Sequence, residues 1–175
     1  MHITANTIRF ANTGHCCHRV IVFNTGFEYL LLTVGTKTDL NFKGATLTGT
    51  AWNSTASTIT ALPFDLDAIP YSFSTAELQR IQAIWQRVAE DYAPFDVNVT
   101  TEAVPADRIT RAGSTDTVFG TTVLITSSTG VYSCSCGGVA YLGVFDDTSE
   151  YYKPALVFYN QLGGGNEKFV AEAIS

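Results

Sequence analysis

The sequence predicts an α+β fold in which a mixed, twisted β-sheet is backed by one long helix. Three observations predict it: a helix signal over residues 74–93, apolar and polar alternation over residues 95–100, and a β-branched run over residues 118–126. A chain of 175 residues that is 46% hydrophobic and 15% charged is also long and apolar enough to build one core.

The helix prediction depends on a start signal and a period. Ser74 and Glu77 have the spacing of a capping box, and Phe73 and Leu78 that of a hydrophobic staple. Apolar residues then recur at intervals of three and four, which predicts one buried stripe: Leu78, Ile81, Ile84, Trp85, Val88, Ala89 and Tyr92. Pro94 is expected to end the helix.

The strands are predicted from alternation and β-branched content. Residues 36–60 should form short strands and turns, and residues 95–100 a strand with Phe95, Val97 and Val99 on one face. Further strands are expected at 118–126, 137–145 and 155–159, with a polar loop at 146–153.

The end of the sequence predicts a second helix. Three glycines at 163–165 break the chain, and Asn166 can cap a helix over the last ten residues. Its apolar stripe would contain Phe169, Val170, Ala173 and Ile174. No Gly or Pro stop signal follows, which favours a helix whose apolar pattern is still incomplete at residue 175.

Residues 1–35 follow neither the helical nor the strand period, so they are interpreted as a poorly patterned leader before a domain at 36–175. Within the leader, His15, Cys16, Cys17 and His18 are zinc-capable, but adjacent side chains do not easily converge on one ion. A chance cluster is the favoured interpretation. The leader also has no clear signal peptide.

The charge of the chain excludes some partners. A formal charge of −6 with ten Lys and Arg residues argues against nucleic acid and anionic membranes, because both require a basic face. No apolar run is long enough for a membrane span.

Two further sets of residues could carry chemistry. The spacing of Cys16-Cys17 and Cys134-Ser135-Cys136 leaves open whether the cysteines pair within or between clusters. For Cys134 and Cys136 a structural disulfide, including one to a cysteine outside this sequence, is favoured over a redox pair or a nucleophile. The spacing of Asp65 and Asp67 is that of the first ligands of a calcium loop. The residues that follow lack the Gly and the further oxygen ligands of such a loop, which favours a solvated turn.

Four runs resemble the bacterial reprolysin-like metallopeptidases of the metzincin group. They are GTAWN at 49–53, IWQRVAEDYAPFDVNVTT at 84–101, CGGVAYLGVF at 136–145 and AEAIS at 171–175. The resemblance covers residues 44–175. It implies a zincin-like upper subdomain, with a long backing helix and the start of the active-site helix near Asn166.

The resemblance also implies a function. The strand containing Gly138, Val139, Ala140, Tyr141, Leu142 and Gly143 would be the edge strand that receives an extended peptide. In the family, the active-site helix continues into HExxHxxGxxH, whose His residues bind zinc and whose Glu is the general base. A secreted zinc endopeptidase with peptide or protein substrates is therefore expected.

The sequence departs from the family at the metal site. No HExxH motif is present, and the three histidines are His2, His15 and His18. We therefore expect the N-terminal part of a catalytic domain, truncated before the motif and inactive alone, with no catalytic or metal-binding residue of its own. The alternative is a non-enzymatic, secreted, β-rich module that binds peptides or proteins. A weaker alternative is a thiol enzyme that uses Cys134 or Cys136.

Overall fold

The computed structural model describes residues Gly35–Ser175, and these form an α+β fold with a mixed sheet and two helices. The fold class predicted from the sequence is therefore confirmed at this level. The predicted leader and the cluster from His15 to His18 lie outside the described residues.

Five strands form the main sheet in the order β4-β1-β5-β7-β6. Their bounds are β1 Thr36–Asn41, β4 Val97–Thr100, β5 Gly120–Thr126, β6 Gly138–Val139 and β7 Ala155–Phe158. Parallel pairing joins β1 to β4 and β5, and β5 to β7, whereas β6 pairs with β7 in the antiparallel sense. A separate antiparallel hairpin consists of β2 Ala45–Thr48 and β3 Thr58–Ala61.

The long helix α1 spans Thr75–Asp91 and begins with the predicted capping box. The Ser74 side chain accepts a hydrogen bond from the Glu77 amide, and the Glu77 carboxylate accepts one from the Ser74 amide at 2.7 Å. The helix ends two residues before the predicted end, because Tyr92 adopts the cap position. Leu78, placed by its spacing in the buried stripe, is 44% exposed.

Apolar side chains from the two faces of the sheet build two cores. Alternation along β5 and β7 sends Val123, Ile125 and Val157 to one face and Leu124 and Leu156 to the other. The helix-side core also contains α1 and α2 residues, and the hairpin-side core also contains β2 and β3 residues. The sheet is therefore covered by helices on one face and by the hairpin on the other.

Four strands are shorter than predicted, and β7 differs least because it ends one residue early, at Phe158. β4 begins at Val97 and leaves Phe95 64% exposed, and β5 begins at Gly120 rather than at residue 118. The strand predicted over residues 137–145 is reduced to the two residues of β6, because the chain turns beyond them and Gly143 adopts a φ of +70°.

The second helix, α2, spans Glu167–Ile174 and is capped by Asn166, as predicted. It packs along α1, where Arg80 forms an ion pair of 2.8 Å with Glu167 and donates a hydrogen bond to the Gly165 carbonyl. Within Gly35–Ser175, neither helix has the length and apolar character needed to cross a bilayer.

Candidate functional site

The antiparallel strand β6 forms one edge of the main sheet, and among the described strands it pairs only with β7. The Phe158 amide donates to the Gly137 carbonyl at 2.8 Å, and Gly138 lies opposite Val157. Because hydrogen-bonded and non-hydrogen-bonded pairs alternate in an antiparallel ladder, the N–H and C=O of Gly138 point away from β7. This edge can therefore pair with a further strand.

Two glycines bring β6 close to its neighbours. A Cβ atom on Gly137 would lie 2.6 Å from Cδ2 of Leu162, and one on Gly138 would lie 2.7 Å from the Leu156 carbonyl oxygen. Both distances are below van der Waals contact. A larger residue at Gly137 would displace the Leu162 side chain, whereas one at Gly138 would clash with the backbone of β7 and force β6 to move. Gly138 thus allows the edge strand to lie close against β7.

A concave surface of about 400 Å³ lies between the edge of the sheet and the last turn of α2. Its lining is mostly small and apolar, and includes Gly138, Ala140, Ala155, Ala173 and Ile174. A volume of this size lies at the lower end of the range of ligand-binding clefts, which are roughly 300 to 1,000 Å³. The cleft can accept a side chain of a strand that pairs with β6.

The segment that leads into β6 is closed by a disulfide between Cys134 and Cys136. Both half-buried cysteines pack against the hairpin-side core. In this form neither sulfur is a thiolate, so neither can act as a nucleophile. The bond joins the cysteines of one cluster and makes no link to a cysteine elsewhere.

Three acidic residues approach one another at the start of α1. Ligand oxygens of Asp65, Asp67 and Glu77 all lie within 4.8 Å of one another. Burial alone would raise the pKa of Glu77, but hydrogen bonds from the Leu66 and Ser74 amides outweigh burial and lower it. The Asp65 carboxylate likewise accepts bonds from the amides of Asp67 and Ile69, so backbone capping accounts for these groups.

This acidic group does not fit the zinc site that the resemblance implies. Catalytic zinc sites use mainly imidazole nitrogen with an open coordination position, and all three groups here are carboxylates already bonded to amides or held in a turn. The part of the chain that the structure describes contains no other cluster of three metal-ligating side chains. We derive no metal-dependent step from these residues.

The chain matches no protein-family model, no curated protein and no solved structure.

The structure separates the six residues predicted to bind substrate into two groups. Gly138 and Val139 form β6, and exposed Ala140 follows directly at the edge. Tyr141, Leu142 and Gly143 lie beyond the strand, where Leu142 is 96% exposed. No local pattern predicted that Glu77 would lie beside Asp65 and Asp67, because that contact depends on how the segment before α1 folds back on the helix.

Proposed function

We propose that this chain is the substrate-binding part of a zinc-dependent endopeptidase domain and that an extended peptide pairs with β6. The observation that carries the proposal is an antiparallel edge strand whose outward backbone groups lie beside an apolar cleft. A peptide that adds to a sheet edge gains affinity from main-chain hydrogen bonds and specificity from pockets for alternate side chains.

The resemblance supports the endopeptidase interpretation. It implies an edge strand at Gly138, a long backing helix and a helix that begins near Asn166, and elements of these kinds occur at those positions. Ala173 and Ile174 of α2 line the cleft, so ligands presented by the family's continuation of this helix would face the bound peptide. The zinc ligands and the general base are absent from this sequence, and we expect the chain to bind peptides without hydrolysing them.

A non-enzymatic, secreted binding module is the second candidate, and the disulfide favours an oxidising compartment for either function. Both candidates use the edge of β6. They differ in whether zinc chemistry acts on the peptide bound there.

The peptide edge can be tested with fluorescein-labelled hexapeptides randomised at their four central positions. We expect fluorescence anisotropy to report binding to the chain, and a pool N-methylated at every amide to bind at least about ten-fold more weakly, because it lacks the donors of a strand. Ala140→Pro, which removes an amide at the edge, should weaken binding, whereas Ala140→Ser should not. Thermal melts would establish that both variants fold, and equal binding of the two pools would refute strand addition.

The endopeptidase interpretation has a separate test in the coding sequence. We expect an in-frame HExxHxxGxxH after Ser175, and no hydrolysis of fluorescein-labelled casein by the present chain with or without added ZnCl₂. A reading frame that stops at Ser175 would contradict the zinc endopeptidase and favour the binding module.

A further inference from the structure

A row of five aromatic rings lies beside β6, and we call it the aromatic row. It consists, in order, of Tyr132, Trp52, Tyr141, Tyr152 and Tyr151. Ring centroids are 5.8 Å apart between Tyr132 and Trp52, 4.8 Å from Trp52 to Tyr141, 4.8 Å from Tyr141 to Tyr152, and 4.9 Å from Tyr152 to Tyr151. Each ring therefore contacts the next.

The aromatic row is held in place at its base. Trp52 is 8% exposed, lies in the hairpin-side core and donates from Nε1 to the Pro154 carbonyl at 3.0 Å. The Ala51 amide donates to the Tyr151 carbonyl at 2.7 Å. The four tyrosines nonetheless keep 39 to 50% of their surface exposed. A rigid base with exposed rings lowers the entropic cost of binding.

The aromatic row lies on the hairpin side of the sheet, whereas Ala173 and Ile174 of α2 line the cleft from the helix side. The Val139 side chain packs against the hairpin-side core that contains Trp52, and Tyr141, two residues later, contacts Trp52 directly. Successive side chains of a strand point to opposite faces of a sheet. A peptide strand on β6 would therefore place alternate side chains toward the cleft and toward the aromatic row.

The surroundings of the aromatic row are acidic. The loop at residues 146–153, which supplies Tyr151 and Tyr152, contains Asp146, Asp147 and Glu150 and one lysine, Lys153. That lysine is 3% exposed, and its Nζ donates to the Gly120 carbonyl and to Glu150. The Arg111 guanidinium in turn pairs with the Asp146 carboxylate, so three carboxylates and two cations leave a net charge of −1 around the loop.

Partly exposed tyrosines and a net negative charge beside them together favour a cationic ligand. The face of an aromatic ring attracts a guanidinium or ammonium group within about 6 Å of its centroid. A contact of this kind occurs elsewhere in the molecule, where the Arg111 guanidinium lies 4.5 Å from the Phe119 ring centroid and 3.4 Å from the Asp146 carboxylate.

On the basis of the proposed peptide edge, we propose that the aromatic row selects peptides that carry Arg or Lys on the hairpin-side face of the added strand. The cationic group lies over an exposed tyrosine ring, and the net negative charge of the loop adds a weaker, long-range attraction. The aromatic row would thus select the peptide side chains on the hairpin side, while the cleft selects those on the helix side.

The test compares two fluorescein-labelled hexapeptides, (Arg-Ala)₃ and (citrulline-Ala)₃, which differ in charge and hardly in shape. We expect the full chain to bind the arginine peptide at least about three-fold more tightly. Tyr152→Leu should remove most of this preference, whereas Tyr152→Phe should keep it, because only the leucine variant lacks a ring. Neither substitution changes the net charge of the protein, so a general attraction to a protein of charge −6 would be unaffected.

The possible outcomes distinguish the role of the aromatic row from that of the peptide edge. Equal binding of the two hexapeptides by the unmodified chain, or a preference that persists in folded Tyr152→Leu and Tyr141→Leu variants, would overturn the aromatic row as the selecting surface and leave the peptide edge standing. Tighter binding of (Phe-Ala)₃ than of (Arg-Ala)₃ would identify an apolar subsite instead and also overturn the inference. Binding of none of these peptides, together with no binding of the randomised pool, would refute the peptide edge itself.

Discussion

Asp39 is a carboxyl group placed where its ionised form is disfavoured. It lies on β1 in the middle of the sheet, half-buried, and its Oδ2 accepts a hydrogen bond from the Thr122 hydroxyl of β5. Burial raises its pKa to about 6, and the Thr122 hydrogen bond and the charge of Lys43 only partly oppose this rise. The folded state therefore binds a proton at Asp39 more tightly than the unfolded chain does.

This raised pKa predicts a pH-dependent gain from Asp39→Asn. Below about pH 4 the carboxyl is protonated in both states, and above about pH 6 the folded state holds a disfavoured charge, so the penalty grows as pH rises between these values. We expect the substitution to increase the free energy of unfolding by about 1 kcal/mol at pH 7.5, less than the full shift corresponds to because solvent screens this half-exposed group, and by less again at pH 4. Urea denaturation at both values is the measurement. Exposed Asp107→Asn is the control, and an equal effect of Asp39→Asn at both values would contradict the argument.

Single residues were the least predictable level of the structure. The capping role of Glu77 follows from its spacing to Ser74, but its burial and its bond to the Leu66 amide require the segment before α1 to fold over the helix. Leu78 and Phe95 fit the apolar periods of their elements, yet within residues 35–175 they stay 44% and 64% exposed. A period assigns a residue to a face, whereas burial depends on neighbours that are distant in sequence.

At the level of elements, α2 depends on its first residue. The Asn166 side chain accepts hydrogen bonds from the Lys168 amide at 3.1 Å and the Phe169 amide at 3.4 Å. The first four amides of a helix have no partner within the helix, and Asn166 satisfies two of them in a helix of only eight residues. The wall of the cleft formed by Ala173 and Ile174 depends on the order of this helix.

Asn166→Ala should therefore destabilise the protein by about 1 kcal/mol, and Asn166→Asp, which keeps the acceptor, by much less. Urea denaturation gives the global effect, and hydrogen exchange should locate the loss of protection in α2. Equal stability of the alanine and asparagine proteins would show that the cap contributes nothing.

The helices were predicted more accurately than β6 for a physical reason. A capping residue and a period of 3.6 are local properties, and they placed both helix starts correctly. The extent of an edge strand depends on how long its partner runs beside it, and β7 has only four residues. The apolar run over residues 137–145 could not reveal that limit.

At the level of the whole molecule, the contribution of an apolar residue to stability depends on whether its side chain enters one of the two cores. Ile84 is fully buried in the helix-side core, whereas Leu78, on the same helix, is 44% exposed. The fold class followed from patterns along the chain. The strand order β4-β1-β5-β7-β6 did not, because it joins segments that lie far apart in sequence.

Ile84→Ala should lower the free energy of unfolding by about 2 to 5 kcal/mol, since it removes buried methyl groups and leaves a cavity. Leu78→Ala should cost less than about 1 kcal/mol. Thermal and urea denaturation of both variants measure the difference, and similar losses would contradict the burial of the two side chains.

The two tryptophans of the chain belong to different faces of the sheet. Trp85 packs against the helix-side core and donates to the Val99 carbonyl, and Trp52 lies in the hairpin-side core. Each layer thus carries its own intrinsic fluorophore. Single-tryptophan proteins made by Trp52→Phe or Trp85→Phe would report separately on the two sides, and a peptide that seats on the tyrosines should change the emission of Trp52 while leaving that of Trp85 as it was.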